Sequence, residues 1–176
     1  MADWSVKHGD ILDEPADLLI CSANGNLDLS GGVGAALRMC FGPQMQKAAH
    51  EARRARVGSG PLPPGEFVVV DGTPSPFKHV IHLVGVTTFY DADAAVIARA
   101  IGEALAKADE LGAASVALTA IATGYGPLSM AEFGEAASTC TATPYEHLAH
   151  VTVVVRHPHQ AQELAAAMGL KAPRSD

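Results

Sequence analysis

Two glycine-rich stretches carry the residues whose types and spacing could do chemistry. "SGGVG" (30–34) and "ATGYGPL" (122–128) each follow an apolar run and precede a stretch of helical period. Glycine lets a backbone approach a ligand closely, and the first N–H groups of a helix have no partner inside it. Such donors at a positive helix end attract phosphate, with the dipole contributing about 0.3–1 kcal/mol. Two loops of this kind, at equivalent ends of two strands, could grip a diphosphate from both sides. Either loop alone reads equally well as an ordinary tight turn. The familiar nucleotide signatures fail: GxGxxG counted from Gly32 and Gly34 meets Leu37, counted from Gly124 and Gly126 it meets Ser129, and no GxxxxGK[ST] occurs.

Polar residues at other strand ends have similar dual readings. Asp10 offers a carboxylate, which selects an amino donor over a carbonyl acceptor or caps a turn. The Asn24 amide can both donate to and accept from a ligand, or close an Asx turn. Arg156 presents a plane able to stack on a base, or a solvated charge at a strand end. Asp28 reads as a loop carboxylate, and His82 as a strand histidine packed between helices. The three cysteines and eight histidines show no zinc-ligand spacing, and "RHPHQ" (156–160) reads as a strand-to-helix turn. No metal or cofactor is expected.

The elements that must position these residues alternate along the chain. Apolar, β-branched runs at 16–23, 66–72, 79–86, 115–121 and 150–157 predict strands, with a weaker one at 4–6. Most lack polar alternation, as in a sheet covered on both faces. Helices are predicted at about 33–41, 43–56, 92–112, 130–141 and 158–168. Pro158 suits a first helical position and Gly169 a stop, and Ser129 with Glu132 forms a capping box directly after the second glycine loop. This order predicts an α/β fold, a three-layer α/β/α sandwich around a mixed, mostly parallel sheet of about six strands. The Pro/Gly-rich stretch 57–66 reads as a loop within one domain spanning 1–176, and 71–78 as the turn between two adjacent strands.

Composition bounds the function. The chain has 176 residues and a formal charge of −7, with 5% aromatic residues, against the clustered Lys and Arg that a nucleic-acid surface needs. The basic cluster "EARRAR" (51–56) reads as a solvated helix face. With no apolar run of about 18 residues and no leader pattern, neither membrane insertion nor export is expected. Three cysteines without a CxxC pair fit a reducing cytoplasm.

Four stretches resemble, in order, the macrodomain family, whose members bind ADP-ribose: "HGDI" (8–11), "ADLLICSANGNLDLSGGVGAAL" (16–37), "HVIHLVGV" (79–86) and "SVALTAIATGYGPLS" (115–129). The resemblance implies that Asp10 accepts from the adenine amino group, with the Ile11 backbone beside it, and that Asn24 holds the distal ribose. It implies that Gly31, Gly32, Val33 and Gly34 wrap that ribose and one phosphate, while Ala122, Thr123, Gly124, Tyr125 and Gly126 take the diphosphate from the opposite side. Arg156 stands where many members place an aromatic on adenine. Departures are Cys21, Ser22 and Ser30, and above all Gly34, where the branch that removes ADP-ribose from acidic side chains carries a water-orienting aspartate. The implied function is a stand-alone module for ADP-ribose or ADP-ribosylated protein. The alternative is an ADP-ribosyl hydrolase using a water positioned by the diphosphate.

Overall fold

The structure, a computed structural model, describes residues 1–171. Its strands are β1 (Asp3–His8), β2 (Leu18–Ala23), β3 (Phe67–Asp71), β4 (His79–Val84), β5 (Ser115–Thr119) and β6 (His150–Val155). They form one sheet in the order β1-β6-β5-β2-β4-β3. All neighbours pair in parallel except β3, which returns antiparallel on β4 through the turn expected at 71–78. The weak first strand is a full edge strand, paired with β6 from Asp3 opposite His150 to His8 opposite Val155.

Side chains alternate between the faces of a strand, and here both faces are apolar. Leu18 and Ile20 join the core under α3 (Ala94–Glu110), α4 (Met130–Ser138) and α5 (Pro158–Ala167). Leu19 and Cys21 face the opposite core with α1 (Gly32–Phe41) and α2 (Gln44–Val57). That arrangement is the expected three-layer α/β/α sandwich, and it explains why the strands carry no polar alternation. The capping signals act as read: Ser129 and Glu132 exchange hydrogen bonds of 2.8 and 3.2 Å, and Pro158 opens α5. Strand β5 stops at Thr119, two residues short of the expected end, because the turn into the second glycine loop starts at Ala120, whose carbonyl accepts from the Thr123 hydroxyl at 2.8 Å.

Carboxylates lock the end of the sheet where the parallel strands begin. Asp17 accepts from Ala114 N–H (2.9 Å), Ser115 N–H (3.2 Å) and the Lys78 ammonium (2.7 Å), joining the starts of β2, β5 and β4. The Lys78 hydrogen bond holds the Asp17 carboxyl below the ordinary carboxylate range. Asp109 of α3 accepts from the N–H groups of Glu146, His147 and Leu148 just before β6. Its burial would raise the carboxyl, but the three N–H bonds together outweigh that and leave it lowered. The other end of the sheet, where the parallel strands finish, carries the loops with free donors. No helix among the described residues is long and apolar enough to cross a membrane.

Candidate functional site

The loops leaving β2, β4, β5 and β6 surround a crevice of about 430 Å³ at the carboxyl ends of these strands. That position and size suit a small ligand, since open α/β sheets bind there and ligand pockets run roughly 300–1,000 Å³. Of the residues predicted for a site, Asn24, Gly31–Gly34, Ala122–Gly126 and Arg156 all line it. Asp10 and Ile11 do not. Asp10 caps a short 3₁₀ turn (Ile11–Asp13), the second of the two uses its place at the end of a strand suggested, accepting from Leu12 N–H at 3.0 Å, and Ile11 is buried in the core that includes Leu37 of α1. Both still adjoin the crevice end, because Gly9 N–H donates to the carbonyl of the lining residue Val155 at 2.9 Å.

The first loop is held open for an acceptor. Its earliest helical hydrogen bond runs from Ala35 N–H to the Gly31 carbonyl at 3.1 Å. The N–H groups of Gly32, Val33 and Gly34 precede that bond and have no partner among the described residues, and no side chain caps α1. Gly32 lies at φ +54, a left-handed conformation that L side chains rarely adopt, and a Cβ there would meet nothing within 4 Å. Asn24 braces this loop: its amide donates to the Asp28 carbonyl (2.8 Å) and accepts from Asp28 N–H (3.1 Å). Gln46 of α2 clamps the next turn, accepting from Leu29 N–H at 2.7 Å and donating to the Leu27 carbonyl at 2.8 Å.

The second loop supplies donors by a different route. The N–H groups of Gly124, Tyr125 and Gly126 also lack partners among the described residues. Here, however, the helix that follows carries a capping box, in which the Glu132 N–H of α4 donates to the Ser129 hydroxyl and the Ser129 N–H donates to the Glu132 carboxylate. The start of α4 thus has a side-chain cap, whereas that of α1 has none. The loop is shaped by Ala122, left-handed at φ +62, whose carbonyl accepts from Leu128 N–H at 3.2 Å. Gly126 is packed against that same carbonyl, which a Cβ would run into. Tyr125, 78% exposed, closes over the first loop, and a Cβ on Gly31 would lie 3.1 Å from its Cε2.

Below the floor, Cys21 Sγ and His82 Nδ1 sit 3.3 Å apart with no exposed surface. Burial pushes the thiol up to about 12 and the imidazole down to about 4, so both are neutral at pH 7. The pair is core, as the strand pattern around His82 suggests. No group of three or more His, Cys, Asp or Glu capable of holding a metal occurs among the described residues.

Sequence reasoning missed the wall supplied by the β4–α3 loop, where Val86 and Tyr90 line the crevice. Tyr90 is 58% exposed, at φ +65, in a turn fastened by Thr87, which accepts from Tyr90 N–H at 3.0 Å and pairs with Asp91. An aromatic pair in "TTFYDAD" directly after an apolar strand was the available signal.

Comparison with known proteins gives a consistent picture. The family described as Macro domain matches residues 20–140. A macro domain-containing protein of Streptomyces coelicolor is 30% identical over 170 residues, covering 96% of this chain and 100% of the relative. Another, of Streptomyces griseus, is 37% identical over 117 residues, so this chain spans 66% of that relative's length. A mutant Oceanobacillus iheyensis macrodomain solved with ADPR aligns with a TM-score of 0.83 at 23% identity, over 93% of this chain and 90% of that one. A Trypanosoma brucei macrodomain in complex with ADP-ribose gives 0.80 at 18%, over 94% and 69%. At these identities the structural likeness establishes the fold.

Proposed function

This chain belongs to the macro domain family, and from that premise we propose that its crevice binds ADP-ribose, free or attached to a protein, with the diphosphate between the two glycine loops. One observation carries the reading: unpartnered backbone N–H groups line the crevice from both sides, at Gly32–Gly34 and at Gly124–Gly126. Gly34 is buried, and buried donors without partners are uncommon in folded proteins; an anion with oxygens facing both ways would satisfy the donors of both loops. The uncapped end of α1 adds its dipole. Because the chain is acidic as a whole, at −7, this attraction has to be local.

The crevice is directional. Its β6 end carries Arg156 and adjoins Asp10, whose second carboxylate oxygen has no partner among the described residues. That end takes the adenine, the amino group donating to Asp10 and the ring meeting the Arg156 plane. The distal ribose then lies toward β2 and β4, near Asn24, Gly31 and Tyr90. Asn24 retains one N–H and one lone pair beyond its bonds to Asp28. Solved structures of the same fold contain ADPR or ADP-ribose, which supports the choice of ligand. Gly34 has no carboxylate to orient water, and a side chain there would press on Leu29, whose Cδ2 would be 3.1 Å from its Cβ. Binding is therefore the primary function proposed.

Thermal denaturation tests the reading. ADP-ribose at about 100 times its Kd stabilises by roughly 2.7 kcal/mol, which for a chain of this size raises Tm by about 5–11 °C. AMP, lacking the second phosphate and the distal ribose, raises it less. An unchanged Tm at millimolar ADP-ribose rejects the proposal.

A further inference from the structure

The first glycine loop is reached by a side chain from outside it. Between β2 and α1 the Leu27 N–H donates to the Asn24 carbonyl at 2.9 Å, and the Asn24 amide closes on Asp28. Leu27 is fully buried and sits at φ +54, a left-handed conformation that a residue with a Cβ resists. Such a backbone persists only where its surroundings over-determine it, and it clusters at functional sites. Here Gln46 of α2 does the holding. Its amide donates to the Leu27 carbonyl at 2.8 Å and accepts from Leu29 N–H at 2.7 Å, so one planar group straddles the turn on both sides of Asp28. Met45 and Ala49, which flank Gln46 along α2, are buried, and this gives the amide a rigid base. The turn is in contact with the free donors as well. A Cβ on Gly34, in the first turn of α1, would lie 3.3 Å from Leu29 Cα and 3.1 Å from its Cδ2. Any displacement of Leu29 therefore disturbs the seat of the Gly32–Gly34 N–H groups.

We infer that Gln46 is the positioning residue of the first loop. By holding Leu27 and Leu29 it keeps the Gly32–Gly34 N–H groups on the crevice wall, and so sets the preference for a ligand with a second phosphate and a distal ribose over one that ends at the first phosphate. This rests on the ADP-ribose reading above. Gln46 is not among the crevice-lining residues, so its effect reaches the ligand only through the loop. The second loop is built without it: Ala122 shapes that loop, and its carbonyl takes the Leu128 N–H. A ligand held mainly at the β6 end and by the second loop is therefore indifferent to Gln46, whereas one that spans both loops is not.

The test is an amide-resolved NMR titration of the full chain with ADP-ribose and, separately, with AMP. It compares the unaltered protein with Gln46→Met, which keeps the length of the side chain and loses both hydrogen bonds. A hydrogen bond of this kind is worth about tenfold in an equilibrium constant, and a loop that is only partly in its binding-competent form weakens apparent affinity by that fraction. The Kd for ADP-ribose is therefore expected to rise about tenfold and that for AMP less than about twofold. In the free variant the Gly32–Gly34 amide resonances are displaced and those of Gly124–Gly126 are not. A merely structural role would weaken both ligands alike. Gln46→Glu is the second variant: it keeps an acceptor for Leu29 N–H, loses the donor to the Leu27 carbonyl, and is expected to weaken ADP-ribose with AMP again spared. Should Gln46→Met fail to fold, Gln46→Glu decides alone. Equal losses for the two ligands, or an unchanged ADP-ribose Kd in a folded variant, overturn the inference while the binding reading stands. An unaltered chain that binds no ADP-ribose defeats the binding reading itself, and the inference falls with it.

Discussion

Gly32→Glu is expected to abolish ADP-ribose binding while leaving the sandwich folded. A Cβ at Gly32 meets nothing within 4 Å, so the substitution displaces no neighbour. Its structural cost comes from the left-handed backbone, φ +54, which disfavours a non-glycine residue by about 1–2 kcal/mol and lowers Tm by roughly 2–8 °C. The cost to binding is larger. A carboxylate near the free N–H groups of Gly32–Gly34 competes for them and repels the diphosphate. At about 4 Å and an effective dielectric near 20, one such pair of charges costs about 4 kcal/mol, roughly a thousandfold in Kd. Gly32→Ala separates the two effects, since it keeps the backbone strain without the charge. Calorimetric titration of both variants measures the difference, and undiminished binding by Gly32→Glu would remove the two-loop arrangement.

Gly126→Ala is expected to damage both the second loop and the affinity. Its Cβ would collide with the Ala122 carbonyl oxygen and lie 2.8 Å from the carbonyl carbon. That carbonyl cannot swing aside freely, because it accepts from Leu128 N–H at 3.2 Å and its residue already sits at φ +62. The loop must open, moving the N–H groups of Gly124–Gly126 off their common wall. Overpacking of this kind costs about 1–3 kcal/mol, or roughly 2–12 °C in Tm, and ADP-ribose affinity should drop at least tenfold. Gly124→Ala is the contrast, since a Cβ there has open space within 4 Å. Equal affinity and Tm for the Gly126 variant and the unaltered chain would show that the close approach is not needed.

The scaffold was legible because its signals are local. Apolar β-branched runs without alternation mark strands buried on both faces, and β2 between two helical layers is such a strand. Ser129 with Glu132 and Pro158 at the start of α5 act within one helical turn, so spacing alone reveals them. The glycine loops could be read for the same reason, as breaks between a strand and a helix. What escaped depends on distance along the chain. Gln46 and His50 reach Leu27–Leu29 across 17 and 22 residues, and no local pattern announces that α2 crosses back over the β2–α1 loop. The Asn24 amide was open to two uses from its type, and only the fold reveals that it braces Asp28. Tyr90 entered the crevice because β4 lies next to β2 in the sheet, an order that the sequence does not state. Asp10 stands outside the lining because the chain makes a short 3₁₀ turn after β1 instead of continuing straight to the crevice.

The central claim is that one diphosphate bridges both glycine loops, and the most direct measurement is an amide-resolved NMR titration with ADP-ribose. The account predicts that the N–H resonances of Gly32–Gly34 and Gly124–Gly126 shift together, saturating at one equivalent, and that AMP moves them less. Saturable binding that leaves either set of amides unmoved would contradict it.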